Sequence, residues 1–385
     1  MAARPIVVVP GIKGTQLVDT YPIQHDVTWS AFQQKFENVY QLALNAEGTA
    51  DASEEHVHRP GQVFRLVYKQ LYDHLCGKLQ RPVYLFSYDW RLSCRDTGES
   101  LLNFLHRLRD KFLGESGVDV VCHSMGGLVL RSALAQTDED PYHELDLNRV
   151  VFIATPQKGS LDAIESMTRG DSLLFNSARS IRKVTRTMPS VYELLPQFSN
   201  AVVDEDDEQL DVFEATNWQD NLIGDDKTFP VRQGHLDDAR VFHQNDLFDL
   251  SGFRPERTLQ IFGQRTEPTT LETITVCDKD GGPNRWYDFA NAERGAGDDV
   301  VLVDSAHAEE LPAIEIHGGD IQWTEFQDRF LANQASLHAF LPAINAVLTA
   351  TSRFFEGDPL DELLPLNLSP DRLHRPGGAE PGQAL

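Results

Sequence analysis

Strand-like and helix-like segments alternate along most of the chain. Short runs of apolar, often β-branched residues, such as Ile6–Val9 and 118–121, predict strands, and a segment with apolar residues at helical spacing, 63–79, predicts a helix. Further segments of these two kinds lie at 82–88, 101–113, 150–154, 258–262, 274–277, 300–303 and 313–316. Strands that alternate with helices favour a mainly parallel sheet with helices on both faces.

The alternation breaks between residues 160 and 255, where the sequence is irregular and polar. A segment of ~95 residues is long for a loop in a compact domain. We interpret it as a cap inserted over the carboxyl ends of the strands, where open α/β sheets bind ligands; a linker between two domains is the alternative. The predicted plan is a first core part at 1–159, a cap at 160–255, a second core part at 256–368, and a disordered tail at 369–385, rich in Pro and Gly.

A serine on a sharp turn is the strongest chemical signal in the chain. The predicted strand 118–121 leads through Cys122 to Ser124, and Gly126 and Gly127 follow before a predicted helix. Strand, tight turn and helix, with a serine on the turn, describe a nucleophile elbow. A serine hydroxyl is a weak nucleophile that needs a base on one side and open space on the other. Small residues must flank such a turn because its backbone is strained.

The composition and net charge argue against some classes of function. The 385 residues are 41% hydrophobic and 24% charged, which is typical of soluble globular proteins. The net charge of −25 disfavours nucleic acid as a partner, because no excess of Lys and Arg can neutralise phosphates. No run approaches the ~18 apolar residues of a transmembrane helix, and Ile6–Val9 is too short for a signal-peptide core. These features predict a cytoplasmic protein without an integral membrane segment.

A serine acyl-transfer site also needs an oxyanion hole and an orienting acid. The loop at 9–14, Val-Pro-Gly-Ile-Lys-Gly, follows the first strand, and its glycines let the backbone turn and expose its N–H groups. We predict the amides of Ile12 and Met125 as the oxyanion donors. Asp298 follows Gly297 in a late turn, so its carboxylate can point to the strand ends. It is the predicted acid, and a simple acidic turn is the alternative.

Two histidines compete for the role of base. His317 directly follows the predicted strand 313–316 and precedes two glycines. His338 lies in a segment whose apolar residues have helical spacing, and a half-buried histidine on a helix is usually structural. We prefer His317, because the carboxyl ends of strands gather beside the elbow. His338 stays the alternative, and His307 is a distant third.

Together these residues resemble the lecithin:cholesterol acyltransferase family of α/β-hydrolases. Four motifs carry the resemblance, and their order and spacing support it more than any one of them. They are the entry strand and oxyanion loop at 5–17, Tyr-Asp-Trp-Arg at 88–91, His-Ser-Met-Gly at 123–126, and Gly-Asp-Asp-Val-Val at 297–301. The chain departs from the family pattern at Cys122, where glycine is usual.

The resemblance implies an α/β-hydrolase fold, a Ser-His-Asp triad, and ester or phospholipid substrates. It also implies an ion pair between Asp89 and Arg91 that braces the wall of the acyl pocket. An exposed pair, worth ~0–1 kcal/mol, is the alternative. Lys13 and Thr155 are further candidates for substrate contacts. No metal or organic cofactor is implied.

The sequence therefore predicts a serine-dependent hydrolase of lipid or other acyl esters that works through an acyl-enzyme on Ser124. An acyltransferase would form the same acyl-enzyme and pass the acyl group to an alcohol or sterol. A catalytically inactive hydrolase fold that serves as a binding module is the further alternative, because fold alone does not determine function. We favour the hydrolase because the predicted cap is polar and no membrane anchor is evident.

Overall fold

The computed structural model describes residues 4–29, 36–112, 117–170, 178–223, 229–278, 285–318, 344–364 and 368–376. The strands are β1 (Ile6–Val9), β2 (Thr15–Asp19), β3 (Asp26–Trp29), β4 (His58–Val63), β5 (Val83–Leu85), β6 (Val118–His123), β7 (Leu147–Ile153), β8 (Val202–Val203), β9 (Thr258–Gln264), β10 (Thr270–Asp278), β11 (Arg285–Tyr287), β12 (Glu293–Gly295), β13 (Ala313–His317) and β14 (Leu373–His374).

The α-helices are α1 (Arg65–Leu79), α2 (Cys94–Lys111), α3 (Gly126–Ala135), α4 (Pro141–Glu144), α5 (Asp162–Thr168), α6 (Ala178–Thr185), α7 (Pro189–Tyr192), α8 (Gln233–Val241), α9 (Val303–Ala306), α10 (Ile344–Glu356) and α11 (Leu360–Leu363). Short 3₁₀ segments lie at Phe36–Leu42, Ala215–Asn217, Leu250–Gly252, Pro255–Arg257 and Pro370–Arg372. Within these ranges, no helix combines the length and the apolar character that crossing a bilayer demands.

In the described part of the chain, the central sheet has seven strands in the order β14-β13-β9-β7-β6-β1-β5. All neighbours pair in parallel except β14, which pairs antiparallel with β13. Strands β1 and β6 are neighbouring interior strands of the sheet, and every residue of both is buried. Continuous apolar strands are typical of parallel sheets covered on both faces, so the prediction of a mainly parallel sheet is confirmed.

The connections place helices on opposite faces of the sheet. From β1 the chain passes through α1 to β5 on one side of β1, and then through α2 to β6 on the other side. Because crossovers between parallel strands are right-handed, a reversal of direction moves the next helix to the other face. Accordingly, α1 packs against α10, whereas α2 packs against α3. The buried strands β1 and β6, which carry the predicted oxyanion loop and elbow, lie between these two layers.

The segment between the neighbouring strands β7 and β9 contains α5 to α8 and β8. This region is more regular than its sequence suggests, and its large apolar side chains, including Tyr192, Trp218 and Leu236, are buried in continuity with the central core. Strand β8 also pairs with β10, so this segment shares a small sheet with β10, β11 and β12. A third sheet, β3-β2-β4, follows the predicted oxyanion loop.

Three sequence predictions about single elements differ from the structure. The predicted strand at 300–303 is a turn that leads into α9. The predicted strand at 274–277 belongs to β10 of the small sheet and lies outside the central one. The predicted disordered tail is ordered up to residue 376, because β14 pairs with the edge of β13; residues 377–385 lie outside the described residues.

Candidate active site

Ser124 lies on a sharp turn at the carboxyl end of β6. Its φ of 53° is in the left-handed region that residues with a side chain rarely adopt. The Ser124 N–H donates to the Ile153 carbonyl at 2.9 Å, and the Ser124 carbonyl accepts the Gly127 N–H at 2.9 Å. Helix α3 begins at Gly126, two residues further on. A strained serine held between a buried strand and a buried helix has the geometry of a nucleophile elbow.

Close packing explains the two glycines that open α3. A Cβ at Gly126 would lie 2.5 Å from the carbonyl oxygen of Val9 in the neighbouring strand β1. A Cβ at Gly127 would collide with the side chain of Thr155, at the end of β7. Any larger residue at either position would therefore push α3, and with it the turn, away from the sheet.

Cys122 occupies the position at which the family pattern has glycine. It is fully buried in the last part of β6, opposite Val9 of β1 and Phe152 of β7. Burial raises the pKa of its thiol well above the usual value, so the sulfur stays neutral and acts as a small packing group. The strand accommodates this departure without a change in its pairing.

The predicted oxyanion loop lies directly against the elbow. A Cβ at Gly11 would lie 2.7 Å from the Cβ of Ser124, so the two backbones approach as closely as glycine allows. Among the hydrogen bonds of the described residues, none uses the amide N–H of Ile12 or of Met125. The two predicted oxyanion donors thus belong to the two segments that meet beside Ser124.

Asp298, the predicted acid, is buried in a turn that a bridge between Gly297 and Leu302 closes. Its Oδ1 accepts the backbone N–H groups of Val300 at 3.0 Å and Val301 at 2.8 Å. These two bonds fix the direction of the carboxylate. The backbone of the segment that predicts a strand at 300–303 therefore holds the Asp298 side chain instead.

The neighbouring Asp299 anchors this acid-bearing turn to the end of β9. Its φ of 83° is also in the left-handed region. Its Oδ2 accepts from Arg265 Nε at 2.7 Å and from Arg265 Nη2, while Oδ1 accepts the Thr269 hydroxyl. The Asp299 N–H donates to Thr270 Oγ1 at 2.9 Å. Sequence reasoning missed this support, because no spacing pattern links residue 265 to residue 299.

His317, the preferred base, lies at the end of β13 beside the edge strand β14. Its Nε2 lies 2.6 Å from Glu315 Oε1 and 2.9 Å from Arg372 Nη1. Glu315 also contacts the edge strand, since its Oε2 lies 2.9 Å from His374 Nε2. The structure therefore pairs His317 with Glu315, and its role as base stays a prediction.

Of the two other candidate histidines, His307 lies within the described residues and His338 does not. His307 follows α9, and its ring packs against Phe262 and His374, with ring centroids 5.2 and 5.0 Å away. His338 lies outside the described residues, and its role as the alternative base also stays a prediction.

Asp89 and Arg91 form a buried, two-pronged ion pair. Arg91 Nε donates to Asp89 Oδ1 at 2.9 Å and Nη2 donates to Oδ2 at 2.6 Å, while Nη1 donates to Asp51 Oδ1 at 2.7 Å. Burial alone would lower the pKa of Arg91, but the two carboxylates outweigh it and raise that pKa. The alternative of an exposed pair is wrong, whereas contact with substrate stays a prediction.

Lys13 and Thr155 are the other candidates for substrate contacts. Lys13 has a φ of 61° in the oxyanion loop, and its carbonyl accepts the indole N–H of Trp29 at 3.3 Å. Thr155 is buried beyond the end of β7, and within the described part of the chain its Oγ1 has no hydrogen-bond partner. Their contact with substrate stays a prediction.

A set of aromatic side chains holds the oxyanion loop by its backbone. Tyr88 donates to the Pro10 carbonyl at 2.7 Å, and the Trp90 indole donates to the Thr15 carbonyl at 3.0 Å. Tyr68 accepts the Gly11 N–H at 2.8 Å. The tetrapeptide motif at 88–91 identified Tyr88 and Trp90 from the sequence. No sequence motif identified Tyr68, which is only one residue of a predicted amphipathic helix.

This sheet order, with Ser124 on a tight turn after β6 and Asp298 in a turn between β9 and β13, defines an α/β-hydrolase fold, as the sequence predicts. A chain of the Tle4–Tli4 complex is similar in fold, with a TM-score of 0.51 and 15% identity over 80% of this chain and 89% of that one. The mature lipase BlEst2 of Bacillus licheniformis matches at 14% identity and a TM-score of 0.36, over 90% of this chain and 92% of that one.

Residues 63–236 match the model of the lecithin:cholesterol acyltransferase family. This match confirms the family resemblance, and it spans the tetrapeptide at 88–91, the elbow and much of the segment between β7 and β9. The predicted oxyanion loop and acid lie outside it. An uncharacterized protein of Saccharomyces cerevisiae is 25% identical over 154 residues, which are 39% of this chain but only 22% of the yeast protein.

Proposed function

We propose that this protein is a serine-dependent acyl-ester hydrolase of the lipase, phospholipase or esterase type, with Ser124 as nucleophile. The observation that carries the proposal is the strained turn at Ser124, packed against the loop that carries the Ile12 amide. A backbone strained at a serine is costly, and strain of this kind clusters at active sites. Residues of this turn lie inside the match to a family named for acyl transfer from lecithin to cholesterol.

The proposed reaction begins with attack of Ser124 Oγ on the carbonyl carbon of the ester. A histidine accepts the hydroxyl proton and then gives it to the departing alcohol, while Asp298 orients the imidazole and stabilises its charged form. The N–H groups of Ile12 and Met125 stabilise the negative charge on the carbonyl oxygen. Water then attacks the acyl-enzyme and releases the carboxylic acid. The two amides are unused among the described residues, which supports this role.

The remaining candidates have supporting roles in this proposal. The buried pair of Asp89 and Arg91 braces the wall beside the acyl group, because it joins the loop after β5 to Asp51. Thr155 Oγ1, buried without a partner among the described residues, can bond a polar group of the substrate. Lys13 lies in the oxyanion loop and can approach a charged head group.

The test is the change Ser124→Ala, assayed with a short-chain p-nitrophenyl ester and a fluorophosphonate probe. We expect a loss of at least ~10³ in rate and complete loss of labelling. Ser132→Ala is the matched control, because Ser132 is buried on the same helix α3 and has no role in the mechanism. A Ser124→Ala variant that keeps its activity would overturn the proposal. Absence of labelling in folded wild-type protein would favour the inactive binding module.

An acyltransferase shares every step up to the acyl-enzyme and differs only in the acceptor that reaches it. Product analysis with a phospholipid and a long-chain alcohol distinguishes the two activities. We expect mostly free fatty acid, as the hydrolase requires. Mostly alkyl ester would replace hydrolysis by acyl transfer, and Ser124 would remain the nucleophile in both cases.

A further inference from the structure

A single hydroxyl group joins the oxyanion loop to the nucleophile elbow. Tyr68 Oη accepts the backbone N–H of Gly11 at 2.8 Å and lies 2.8 Å from His123 Nδ1. Gly11 immediately precedes Ile12, and His123 immediately precedes Ser124. The helix α1 thus contacts, through one atom, the two segments on which the proposed oxyanion donors lie.

This bridge is buried. Tyr68 is 2% exposed and His123 is 6% exposed, and their rings meet edge to face with centroids 5.7 Å apart. Hydrogen bonds in such a low-dielectric environment are stronger than in water. Burial also raises the pKa of the Tyr68 phenol well above its ordinary value. The hydroxyl therefore keeps its proton, so it can accept from Gly11 and donate to the imidazole.

The two bridged segments are in close contact at the site. A Cβ at Gly11 would lie 2.7 Å from Ser124 Cβ and 3.2 Å from His123 Nδ1. A small shift of the loop would therefore change the distance between the Ile12 and Met125 amides. Oxyanion stabilisation depends on donors held at the position of the developing charge, and a misplacement of ~1 Å can cost about 100-fold in rate.

We propose, on the basis of the function proposed above, that Tyr68 is a positioning residue whose hydroxyl sets the separation of the two oxyanion donors. It acts through Gly11 on the Ile12 amide and through His123 on the turn of Ser124 and Met125. The phenol touches neither substrate nor reacting atoms in this role. Its removal weakens binding of the transition state more than binding of the ester.

The test is Tyr68→Phe, with every rate normalised to active sites counted by fluorophosphonate labelling. We expect kcat to fall about 10- to 100-fold while KM stays within about twofold, since the oxyanion forms only after binding. Affinity for a trifluoromethyl ketone, which forms a tetrahedral oxyanion with the serine, should fall by the same factor as kcat/KM. A purely structural tyrosine would lower the fraction of active protein and leave these ratios unchanged.

Tyr142→Phe is the matched control. The hydroxyl of Tyr142 is buried, accepts the Arg254 N–H at 3.1 Å and lies 3.3 Å from Thr258 Oγ1, so it has the same kind of partners. It lies at the opposite end of the sheet, where β9 begins. We expect a similar decrease in melting temperature and no change in normalised kcat.

A second variant, His123→Leu, removes the other end of the bridge. Combined with Tyr68→Phe it should lower kcat by less than the product of the two single effects, because both changes break one linkage. Additive losses, or a Tyr68→Phe enzyme with unchanged normalised kcat and inhibitor affinity, would overturn the inference. Wild-type labelling at Ser124 would still support the hydrolase in that case, so the two proposals fail separately.

Discussion

The backbone is strained at the proposed nucleophile and beside the proposed acid, as it is at Lys13 of the predicted oxyanion loop. Ser124 and Asp299 both have a positive φ without being glycine. Backbone hydrogen bonds hold the first, and the side chains of Arg265 and Thr269 hold the second. Strain of this kind costs of order 1–3 kcal/mol per residue and persists where the surroundings enforce it. The proposed nucleophile and the residue beside the proposed acid are thus fixed by different means, Ser124 by backbone bonds at the sheet and Asp299 by side chains.

The contacts of single histidine rings bear on which residue is the catalytic base. A triad histidine must give one ring nitrogen to the serine and the other to the acid. The Nε2 of His317 instead lies against Glu315 and Arg372, so in this position the ring cannot serve both partners. This geometry favours His338, the alternative left open by the sequence, and the choice between the two histidines stays a prediction. We expect His338→Ala to abolish fluorophosphonate labelling at Ser124, and His317→Ala to retain it with a lower melting temperature.

The two variants give opposite results under the two assignments. Loss of labelling in folded His317→Ala, with normal labelling in His338→Ala, would identify His317 as the base. The ring would then have to leave Glu315 during the reaction. His307→Ala serves as the control, because its ring packs against Phe262 and His374, and we expect it to label normally.

At the scale of elements, the sequence predicts best those segments whose burial is uniform or strictly periodic. Strands β1 and β6 and helix α1 lie close to their predicted positions, because continuous apolar runs and helical spacing are the main sequence signals of buried strands and amphipathic helices. The predicted strand at 300–303 is wrong for a local reason. Its first two N–H groups bond the Asp298 carboxylate, and such side-chain bonds compete with strand pairing.

Helix α2 illustrates a contact between elements that no local pattern reveals. Its first turn is held by Glu193, at the end of α7, whose Oε1 accepts the Ser93 hydroxyl and whose Oε2 accepts the Cys94 N–H, both at 2.6 Å. Burial raises the pKa of Glu193 to about 7, although these hydrogen bonds act to lower it. The carboxyl group of an inserted segment thus holds a core helix and titrates near neutral pH.

This shift predicts the pH dependence of stability. The folded protein keeps the Glu193 proton up to pH of about 7, whereas the unfolded chain loses it near its ordinary pKa of 4.5. The contribution is therefore fully present below pH 4.5 and is lost as the pH rises through 7. We expect the free energy of unfolding of wild type, relative to Glu193→Gln, to fall by on the order of 1–3 kcal/mol between pH 5 and pH 8.

Denaturant unfolding of both proteins at several pH values measures this difference directly. Subtraction of the Glu193→Gln curve removes the titration of all other groups. Glu165→Gln is the control, because Glu165 forms an i, i+4 pair with Arg169 on the surface of α5 and its curve should parallel that of wild type. Parallel curves for wild type and Glu193→Gln would contradict the assignment of the shift to this carboxyl group.

At the scale of the whole molecule, the sequence predicted the fold class and the position of the elbow, but not the contacts that close the site. Tyr68 and Gly11 are far apart in the chain, as are Arg265 and Asp299, and neither pair leaves a periodic or compositional trace. The parallel sheet brings them together because its carboxyl edge collects the ends of distant strands. Such long-range contacts require the three-dimensional register, whereas the elbow is contained in one short segment.

The pairing of β14 with β13 at one side of the central sheet was another feature that the composition did not predict. The Pro- and Gly-rich sequence from residue 369 suggested disorder, yet β14 pairs with β13 through Ala313 and Ile314. Burial alone would raise the pKa of Glu315 in β13, but hydrogen bonds from His374 and His317 outweigh it and hold that pKa below its ordinary value. The carboxylate is therefore buried in its charged form and depends on the partner that β14 supplies.

Removal of β14 should consequently destabilise the protein by two routes. A chain that ends at residue 368 exposes the hydrogen-bonding edge of β13, which invites pairing with other chains, and takes one partner from the buried Glu315 carboxylate. We expect a loss of at least about 2 kcal/mol in the free energy of unfolding and concentration-dependent aggregation in light scattering.

A chain that ends at residue 376 keeps β14 and should resemble the full chain. Glu315→Gln should restore part of the stability of the shorter chain, because it removes the uncompensated charge. Equal stability of the two shortened chains would show that β14 is not what protects this edge.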